Sequence, residues 1–350
     1  MSALGSAPIS ATPLPGVSYV MPVLNEVTHI RAAVASLLEQ DYTGPMEVTL
    51  ALGPSSDGTS ELVHQMSSED QRIKWVDNPA AATPVGMNLA IRASQYPIVI
   101  RVDAHSVLPQ DYASIAVETL LRTQADNVGG IMDAQGTSPF ERAVARAYDT
   151  KVGLGGTPFH VGGKEGPVDT VYLGVFNRES LLAVGLFNEE IRRGQDWELN
   201  RRFRDAGGLV WFTPRLKVLY RPRTSVKALV KQMYSTGLWR GELSRRFGSG
   251  VRYFIPPVMV MATLIGALFG LGGVVQLANG SPAWALMGWI IPATYVIFVL
   301  LSTTVYGRGM GAKGAAWFPL VLPCIHFAWG VGFIMSYTRL TSNIAGQSGR

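Results

Sequence analysis

The sequence has little cysteine and little charge. Cys324 is the one cysteine among 350 residues and has no partner in the chain, which excludes a disulfide scaffold. Charged residues make up 16% of the chain, whereas a soluble domain carries about 25%. Because 47% of the residues are hydrophobic and the mean hydropathy is +0.19, a disordered chain is excluded and a purely soluble one is disfavoured. The length allows about two domains.

Acidic residues are missing from the C-terminal part. Residues 253–350 contain four basic residues and no Asp or Glu. Residues 215–252 contain ten lysines and arginines against one acid, Glu242, which leaves 16 of the 30 basic and 24 of the 25 acidic residues for residues 1–214. The chain is therefore an acidic globular part, a basic segment and an apolar tail. Nucleic-acid binding would account for the pI of about 9.3 but not for the tail, and a basic segment beside apolar spans is typical of contact with anionic lipid headgroups.

Three apolar stretches of the tail are long enough to cross a membrane, at residues 254–278, 284–306 and 315–337. A helix needs about 20 apolar residues to cross roughly 30 Å of hydrocarbon. We therefore expect a transmembrane domain over 253–338, with about three spans, and a tail over 339–350. Aromatic residues at the ends of the stretches are typical of the membrane interface; they are Tyr253, Trp284, Tyr306, Trp317 and Tyr337. Alternatively one stretch is a buried or re-entrant segment, and Pro256 and Pro257 make the first the best candidate.

Basic residues indicate the orientation of these stretches. The segment up to Arg252 is basic, so that side is expected in the cytoplasm, with the uncharged loop 278–282 outside and Lys313 inside. Three crossings leave Arg339 outside, a mild conflict with the positive-inside rule that a re-entrant first segment would remove. Residues 1–16 have no basic start and no apolar core, which indicates a disordered leader and a globular part that stays in the cytoplasm.

From residue 17 onward, strand-like and helix-like patterns alternate. Strands are predicted at 17–21, 47–52, 73–76 and 98–102, with helices at 28–39, 60–66 and 83–94, the last with Thr83 as its N-cap. This order predicts a largely parallel sheet with helices on both faces. Because ligands bind beyond the carboxyl ends of such strands, the polar residues that follow them are candidates for a site.

Polar side chains follow three of these strands. Asn25 and Glu26 follow the first, where they would bond a base or ribose or simply cap the next helix. Asp57 follows the second, as a ligand contact or as part of an Asp-Gly turn. Asp103 and His105 follow the fourth and project to one side, which suits Mn²⁺ or a similar ion shared with phosphates; alternatively Asp103 caps a turn against which His105 packs.

A later acid, Asp196, opens a strongly basic helix that is expected to end at Gly207. At the edge of a cleft, Asp196 would serve as a general base. The alternative is structural, since the helix dipole stabilises an acid in the first turn.

Four short motifs occur in one order: PVLNE at 22–26, SDGT at 56–59, RVDAH at 101–105 and QDWE at 195–198. With the arginine and glycine pairs at 201–202 and 207–208 and the apolar tail, they resemble family 2 inverting glycosyltransferases. The similarity is greatest to the membrane-anchored, ExoA-like branch of succinoglycan biosynthesis, and it covers residues 17–250.

The resemblance implies a GT-A fold, a Rossmann-like mixed α/β sheet over 17–224, that binds a nucleotide-diphosphate sugar, with a UDP-sugar expected. The implied donor-binding residues are Pro22, Asn25, Glu26, Asp57, Asn88, Arg101 and Asp103. Asp103 matches the first acid of the family's D-x-D motif and His105 replaces the second, so both would hold Mn²⁺ or Mg²⁺, or His105 would contact phosphate. Asp196 matches the catalytic base, and Gln195 replaces the acid that precedes it.

Processive members carry Q-x-x-R-W before their spans, and residues 232–240 (QMYSTGLWR) depart from it, so addition of a single sugar is favoured. The acceptor or the donor diphosphate would meet Gln195, Trp197, Trp239 and Arg240. Alternatively, residues 225–252 form a basic amphipathic interfacial segment that places Lys227, Lys231 and Arg240 at lipid headgroups.

The predicted function is transfer of one sugar to a polyprenyl-linked or other lipid acceptor at the cytoplasmic face of the cell membrane, in cell-surface polysaccharide or glycolipid synthesis. A polyprenyl-monophosphate glycosyltransferase is the alternative within this class. A transporter or scaffold with a nucleotide-binding domain is the alternative from another class, although spans without Asp or Glu make a poor transport pathway. No nucleic-acid partner is expected.

Overall fold

The computed structural model describes residues 13–341 and residue 344. Most of the predicted leader (1–16) and most of the predicted C-terminal segment 339–350 lie outside the described residues. The chain divides into two compact units. The first comprises the described residues up to Val128, Leu173–Phe187 and Phe203–Val210; the second comprises Gly129–Tyr172, Asn188–Arg202 and the described residues from Trp211 onward.

Eight strands form one mixed sheet. They are β1 (Val17–Val23), β2 (Met46–Leu52), β3 (Ile73–Asp77), β4 (Ile98–Arg101), β5 (Asn127–Ala134), β6 (Gly166–Pro167), β7 (Tyr172–Asn177) and β8 (Val210–Tyr220). Their order in the sheet is β3-β2-β1-β4-β7-β5-β8-β6. The first four strands pair in parallel, whereas β7 is antiparallel to β4 and β6 to β8. The predicted mixed α/β sheet is confirmed.

Nine helices accompany the strands among the described residues. They are α1 (Ile30–Leu38), α2 (Thr59–Glu69), α3 (Thr83–Ala93), α4 (Tyr112–Thr123), α5 (Pro139–Tyr148), α6 (Pro158–Val161), α7 (Arg178–Ala183), α8 (Gln195–Asp205) and α9 (Val226–Phe247). The apolar tail adds α10 (Ile255–Ala278), α11 (Ile290–Tyr306) and α12 (Gly311–Tyr337), with short 3₁₀ helices at Val251–Phe254 and Trp284–Trp289.

The predicted order of the first four strands and three helices is confirmed, because buried aliphatic runs and amphipathic segments alternate there as the sequence indicates. One detail was wrong. Thr83 is the first residue of α3 and not its N-cap; the cap position belongs to Ala82, whose side chain makes no capping bond. Pro84 still lies in the first turn, where its missing N–H costs nothing.

Parallel pairing brings three strand ends of the first unit to one edge. Val23 at the end of β1 is in register with Leu52 at the end of β2, and Val20 of β1 is in register with Arg101 at the end of β4. We call the side of the sheet beyond Val23, Leu52 and Arg101 the carboxyl edge. The loops that carry the predicted donor-binding acids begin there.

In the second unit, α12 packs along α5 and α9. Phe318 of α12 and Val144 of α5 belong to the same buried cluster. Further along, α12 meets α9 through glycines, and a methyl group on Gly237 would lie 2.0 Å from the Trp329 carbonyl oxygen. The two helix backbones are therefore in close contact.

Three helical segments of the tail are long and apolar enough to cross a membrane: Val251–Ala278, Trp284–Tyr306 and Gly311–Tyr337. They correspond to the three predicted stretches, and the third begins four residues earlier than predicted. Their exposed apolar surface indicates association with a membrane.

Gly237→Ala tests the contact between α9 and α12. The added methyl has no room beside the Trp329 carbonyl, so we expect a loss of about 1–3 kcal/mol in the free energy of unfolding, as for other overpacked contacts. Thermal unfolding of the detergent-purified protein measures it. Gly272→Ala is the matched control, a mid-helix glycine of α10 with open space around the added methyl in the described part of the chain. Equal unfolding temperatures for both variants would contradict the packing.

Candidate functional site

At the carboxyl edge, Asn25 ties the loop after β1 to the loop after β2. Asn25 has a left-handed φ of 55°, a conformation that Asn tolerates better than most residues. Its N–H donates to Ser55 Oγ (3.0 Å), and its Oδ1 accepts the Ser56 N–H (2.8 Å). Its side chain thus shapes the edge.

Thr59 and Asp57 complete this link. The Thr59 hydroxyl accepts the Glu26 N–H (2.9 Å) and donates to Asp57 Oδ1 (2.5 Å), while Asp57 Oδ2 accepts the Val27 N–H (3.2 Å). The hydroxyl of Thr59, together with the backbone N–H groups of Val27 and Thr59, holds the pKa of Asp57 below its usual range. A carboxylate has about four lone-pair sites, so the exposed Asp57 keeps acceptor capacity for a ligand.

The end of β4 brings two further pairs to this edge. Arg101 is buried, and its Nη2 lies 3.3 Å from Asp103 Oδ1. The side chain of His105 is 60% exposed, and its Nδ1 lies 3.6 Å from Glu26 Oε1. The structure therefore pairs His105 with Glu26, an approach that the sequence analysis did not predict. The attraction between them is ionic only when the imidazole is protonated.

The carboxyl edge offers a small donor set for a divalent ion. Among residues 13–341 and 344, no group of three or more His, Cys, Asp or Glu side chains is arranged to hold a metal. Mg²⁺ and similar ions are commonly held by one or two carboxylates together with substrate phosphates. Asp103, whose side chain is 25% exposed, fits that arrangement, and His105 has Nε2 as a nitrogen for a ligand while Nδ1 faces Glu26.

Besides Arg101 in β4, two predicted donor-binding residues lie within secondary structure, Asn88 and Pro22. The amide of Asn88 in α3 exchanges two hydrogen bonds of 2.9 Å with the backbone of Phe187 and is 4% exposed. The predicted contact of Asn88 with a nucleotide sugar stays a prediction, and in the structure the amide is buried and bonded to this backbone. Pro22 lies in β1, in register with Ala51, and has no side-chain polar atom.

In the second unit, α8 carries the predicted base. Asp196 and Glu198 both lie in its first turn, and Gln195 at the start of the helix is buried. Glu198 is buried too and forms two hydrogen bonds of 2.8 Å with Arg202. Asp196 is half-buried and is therefore the more accessible acid of this turn.

Arg240 of α9 lies close to two aromatic rings. Its Cζ is 4.7 Å from the ring centroid of Trp197 and 4.4 Å from that of Tyr253. Burial lowers the pKa of the Arg240 guanidinium, which nevertheless stays protonated at neutral pH. Arg240 is thus enclosed by rings and is not a member of a solvated basic face, in contrast to the exposed Lys227 and Lys231.

Two buried donors near Trp197 lack an acceptor within the described part of the chain. Arg240 Nη1 and the indole Nε1 of Trp239 are buried without a hydrogen-bond partner among the residues that the structure describes. By contrast, Arg245 and Arg246 both pair with Glu242. Leaving a buried charged donor without an acceptor costs more than about 1–3 kcal/mol, which favours an anionic ligand beside Arg240.

Comparison with known proteins identifies the family. Residues 18–185 match the domain described as glycosyl transferase family 2. The chain is 32% identical over 258 residues to the succinoglycan biosynthesis protein ExoA of Rhizobium meliloti (strain 1021), and the alignment covers 72% of this chain and 77% of the relative. The chain belongs to glycosyl transferase family 2. It is therefore a glycosyltransferase, and the resemblance seen in the four motifs is confirmed.

Two further similarities place this family 2 chain among known proteins. It is 25% identical over 250 residues to the dolichyl N-acetyl-alpha-D-glucosaminyl phosphate 3-beta-D-2,3-diacetamido-2,3-dideoxy-beta-D-glucuronosyltransferase of Methanococcus voltae, covering 69% of this chain and 77% of the relative. Its fold resembles that of the mannosyltransferase PcManGT from Pyrobaculum calidifontis in complex with GDP-Man and Mn²⁺, with a TM-score of 0.58 at 18% identity, over 96% of this chain and 92% of the other. At this identity the second likeness shows the fold alone, which is the predicted GT-A fold.

Several contacts of this glycosyltransferase escaped the sequence analysis. Ser55 and Thr59 contact the loop after β1, but they belong to a segment whose composition is typical of an ordinary turn. The hydroxyls on either side of Asp57 were the sequence feature that could have indicated these contacts. Tyr253 was expected at the membrane interface, yet its ring also covers Arg240. No sequence pattern links positions 240 and 253.

Proposed function

We propose that this glycosyltransferase moves one sugar from a UDP-sugar to a lipid-linked acceptor at the cytoplasmic face of the membrane, with inversion at the anomeric carbon. The hydrogen-bonded cluster at the carboxyl edge is the observation that carries the donor part of the proposal. The acceptor part is supported by the apolar helices of the tail and by a relative whose name states that it acts on a dolichyl N-acetylglucosaminyl phosphate.

At the carboxyl edge, Asp57 and Glu26 would contact the nucleoside. Asp57 is ionised at neutral pH and has spare acceptor sites, so it suits the N–H groups of a base. Glu26 lies beside it on a loop that the Thr59 hydroxyl holds, and its carboxylate suits a ribose hydroxyl. Asn25 would act through the shape that it gives this loop.

Asp103 would hold a divalent ion, Mn²⁺ or Mg²⁺, that also binds the donor diphosphate. When bound, such an ion neutralises charge on the phosphates and so assists departure of the nucleoside diphosphate. Arg101 restrains the Asp103 carboxylate from within the sheet, and the nearby His105 offers either a second ligand or a phosphate contact.

Asp196 would be the general base. An inverting transfer forms a bond from the acceptor hydroxyl oxygen to the anomeric carbon while the bond from that carbon to the diphosphate oxygen breaks. The hydroxyl proton passes to the Asp196 carboxylate, and the electron pair of the broken bond leaves with the diphosphate. A positioned base contributes about 10²- to 10⁴-fold to such a step. The half-buried position of Asp196 suits this role better than the buried position of Glu198.

Arg240 would bind the phosphate of the lipid-linked acceptor, with Gln195, Trp197 and Trp239 around the acceptor. The Arg240 guanidinium is packed against two rings, and its N–H groups lie in the guanidinium plane, which is the geometry that phosphate oxygens accept. Tyr253 lies at the start of the first apolar segment, so a phosphate beside Arg240 would be close to a lipid tail.

The variant Asp196→Asn distinguishes two roles of Asp196, that of a general base and that of an acid that only stabilises the start of α8. Asn retains the size and most of the polarity of Asp but accepts no proton, so we expect at least a 100-fold loss in turnover. Donor nucleotide binding and the unfolding temperature should stay close to those of the wild type. Steady-state transfer, nucleotide titration and thermal unfolding measure the three quantities.

Asp205→Asn, at the opposite end of α8, serves as the matched control and should turn over normally. If Asp196→Asn also keeps near-normal turnover, Asp196 is not the base, and Asp169, Glu189 and Glu198 become the residues to test.

The variant Arg240→Gln tests the proposed contact between Arg240 and the phosphate of the lipid acceptor. Loss of a charge-assisted hydrogen bond of about 1.5–3 kcal/mol should raise KM for the lipid acceptor about 10- to 150-fold while KM for the donor stays within twofold. Lys227→Gln, an exposed position on the same helix, is the control and should change neither constant. An increase confined to the donor KM would assign Arg240 to the donor diphosphate instead.

A further inference from the structure

The three apolar helices of the tail differ in what covers them. Of the most hydrophobic part of α12, 44% of the residues are buried inside the protein, against 22% and 17% for the first and second apolar segments. Large side chains such as Leu268 and Leu301 on α10 and α11 are open to the surroundings. The three helices are alike in being long and apolar enough for a span, but they differ in how much of each is packed against the rest of the protein.

Polar elements of the second unit line α12 along almost its whole length. Near its start, the Arg142 side chain of α5 donates to the Met310 carbonyl, and Gly314 faces the Pro139 carbonyl. Near its end, a methyl group on Gly241 of α9 would lie 2.5 Å from the Phe333 carbonyl oxygen. From residue 314 to residue 337 a helix rises about 35 Å, more than the roughly 30 Å of membrane hydrocarbon.

The middle of α12 is joined to an irregular loop. His326 Nε2 donates to the Val152 carbonyl (2.6 Å), since a carbonyl only accepts, and Nδ1 then accepts the Tyr295 hydroxyl of α11 (3.0 Å). Val152 belongs to a stretch without helix or strand that follows α5, and its neighbour Lys151 is exposed.

A membrane-crossing α12 would carry these partners into the hydrocarbon. Exposed irregular backbone does not occur at that depth, because its N–H and C=O groups would lack partners. Each charged group at the bilayer centre costs about 2.5–3.5 kcal/mol or more. The acidic and basic residues of α5 and the adjoining loop are Glu141, Arg142, Arg146, Asp149 and Lys151.

We infer that α12 does not cross the membrane but lies on its cytoplasmic surface, between the polar helices α5 and α9 and the lipid. Besides Tyr337 at its last residue, α12 exposes three large apolar side chains, Trp317, Leu320 and Val331, which would contact the outer acyl region of that leaflet. Both ends of α12 then lie on one side. Lys313 and Arg339 stay with the basic residues that precede α10, which removes the conflict with the positive-inside rule.

Cysteine labelling tests this arrangement in the full-length protein. In a Cys324→Ala background, Lys313→Cys and Thr338→Cys place single thiols at exposed positions at the two ends of α12. A charged, membrane-impermeant maleimide is added to intact cells and, in parallel, to permeabilised cells. We expect both thiols to be protected in intact cells, at less than a tenth of the labelling that permeabilisation gives.

Labelling of Thr338→Cys but not Lys313→Cys in intact cells would show that α12 crosses and would overturn the inference. If either variant fails to accumulate, a fluorescent protein and an alkaline phosphatase fused in turn to residue 350 answer the same question. Phosphatase activity at residue 350 would place that end of the chain outside. If Lys313→Cys is protected in the same cells, or a phosphatase fused at residue 313 is inactive, then α12 crosses the membrane and the inference is overturned. This outcome is independent of transfer activity, so it stands apart from the test of the proposed function.

Discussion

The geometry of the carboxyl edge depends on one buried hydroxyl, that of Thr59. It accepts the Glu26 N–H and donates to the Asp57 carboxylate, so loops that follow two different strands share one polar atom. Parallel pairing of β1 with β2 sets Val23 level with Leu52 and so fixes where that hydroxyl reaches. The acids proposed to bind the donor are therefore carried by loops that the sheet holds in place, as precise recognition requires.

The sequence predicted the edge but not the contacts within it. Strand ends are local features, because an aliphatic run followed by Asn, Asp or Ser can be recognised without any partner. The pairs His105 with Glu26 and Arg240 with Tyr253 depend on the path of the whole chain and have no local signal. Asn88 shows the same limit, since a helical amide has the same pattern whether it faces a ligand or, as here, a buried backbone.

The tail was predictable in length and composition but not in its surroundings. Hydropathy measures how apolar a segment is, and Val251–Ala278, Trp284–Tyr306 and Gly311–Tyr337 are all long and apolar enough for a span. What covers a helix follows from tertiary packing, and the contact of His326 with the Val152 carbonyl sets α12 apart from the other two. In the same unit, Arg240 contacts α8, because its guanidinium packs against the ring of Trp197. The proposed base, Asp196, is thus the neighbour in α8 of Trp197, whose ring contacts the proposed phosphate-binding residue, Arg240.

The central claim is transfer of one sugar from a nucleotide-diphosphate donor to a lipid-linked acceptor. The most direct measurement incubates the detergent-purified protein with a panel of nucleotide sugars, native membrane lipid extract and Mn²⁺ or Mg²⁺, followed by mass spectrometry of the lipids. The account predicts a glycolipid heavier by one sugar residue, matched by release of nucleoside diphosphate and abolished by EDTA. A lipid monophosphate that carries the sugar directly, a lipid extended by many sugars, or transfer that continues at full rate in EDTA would contradict it.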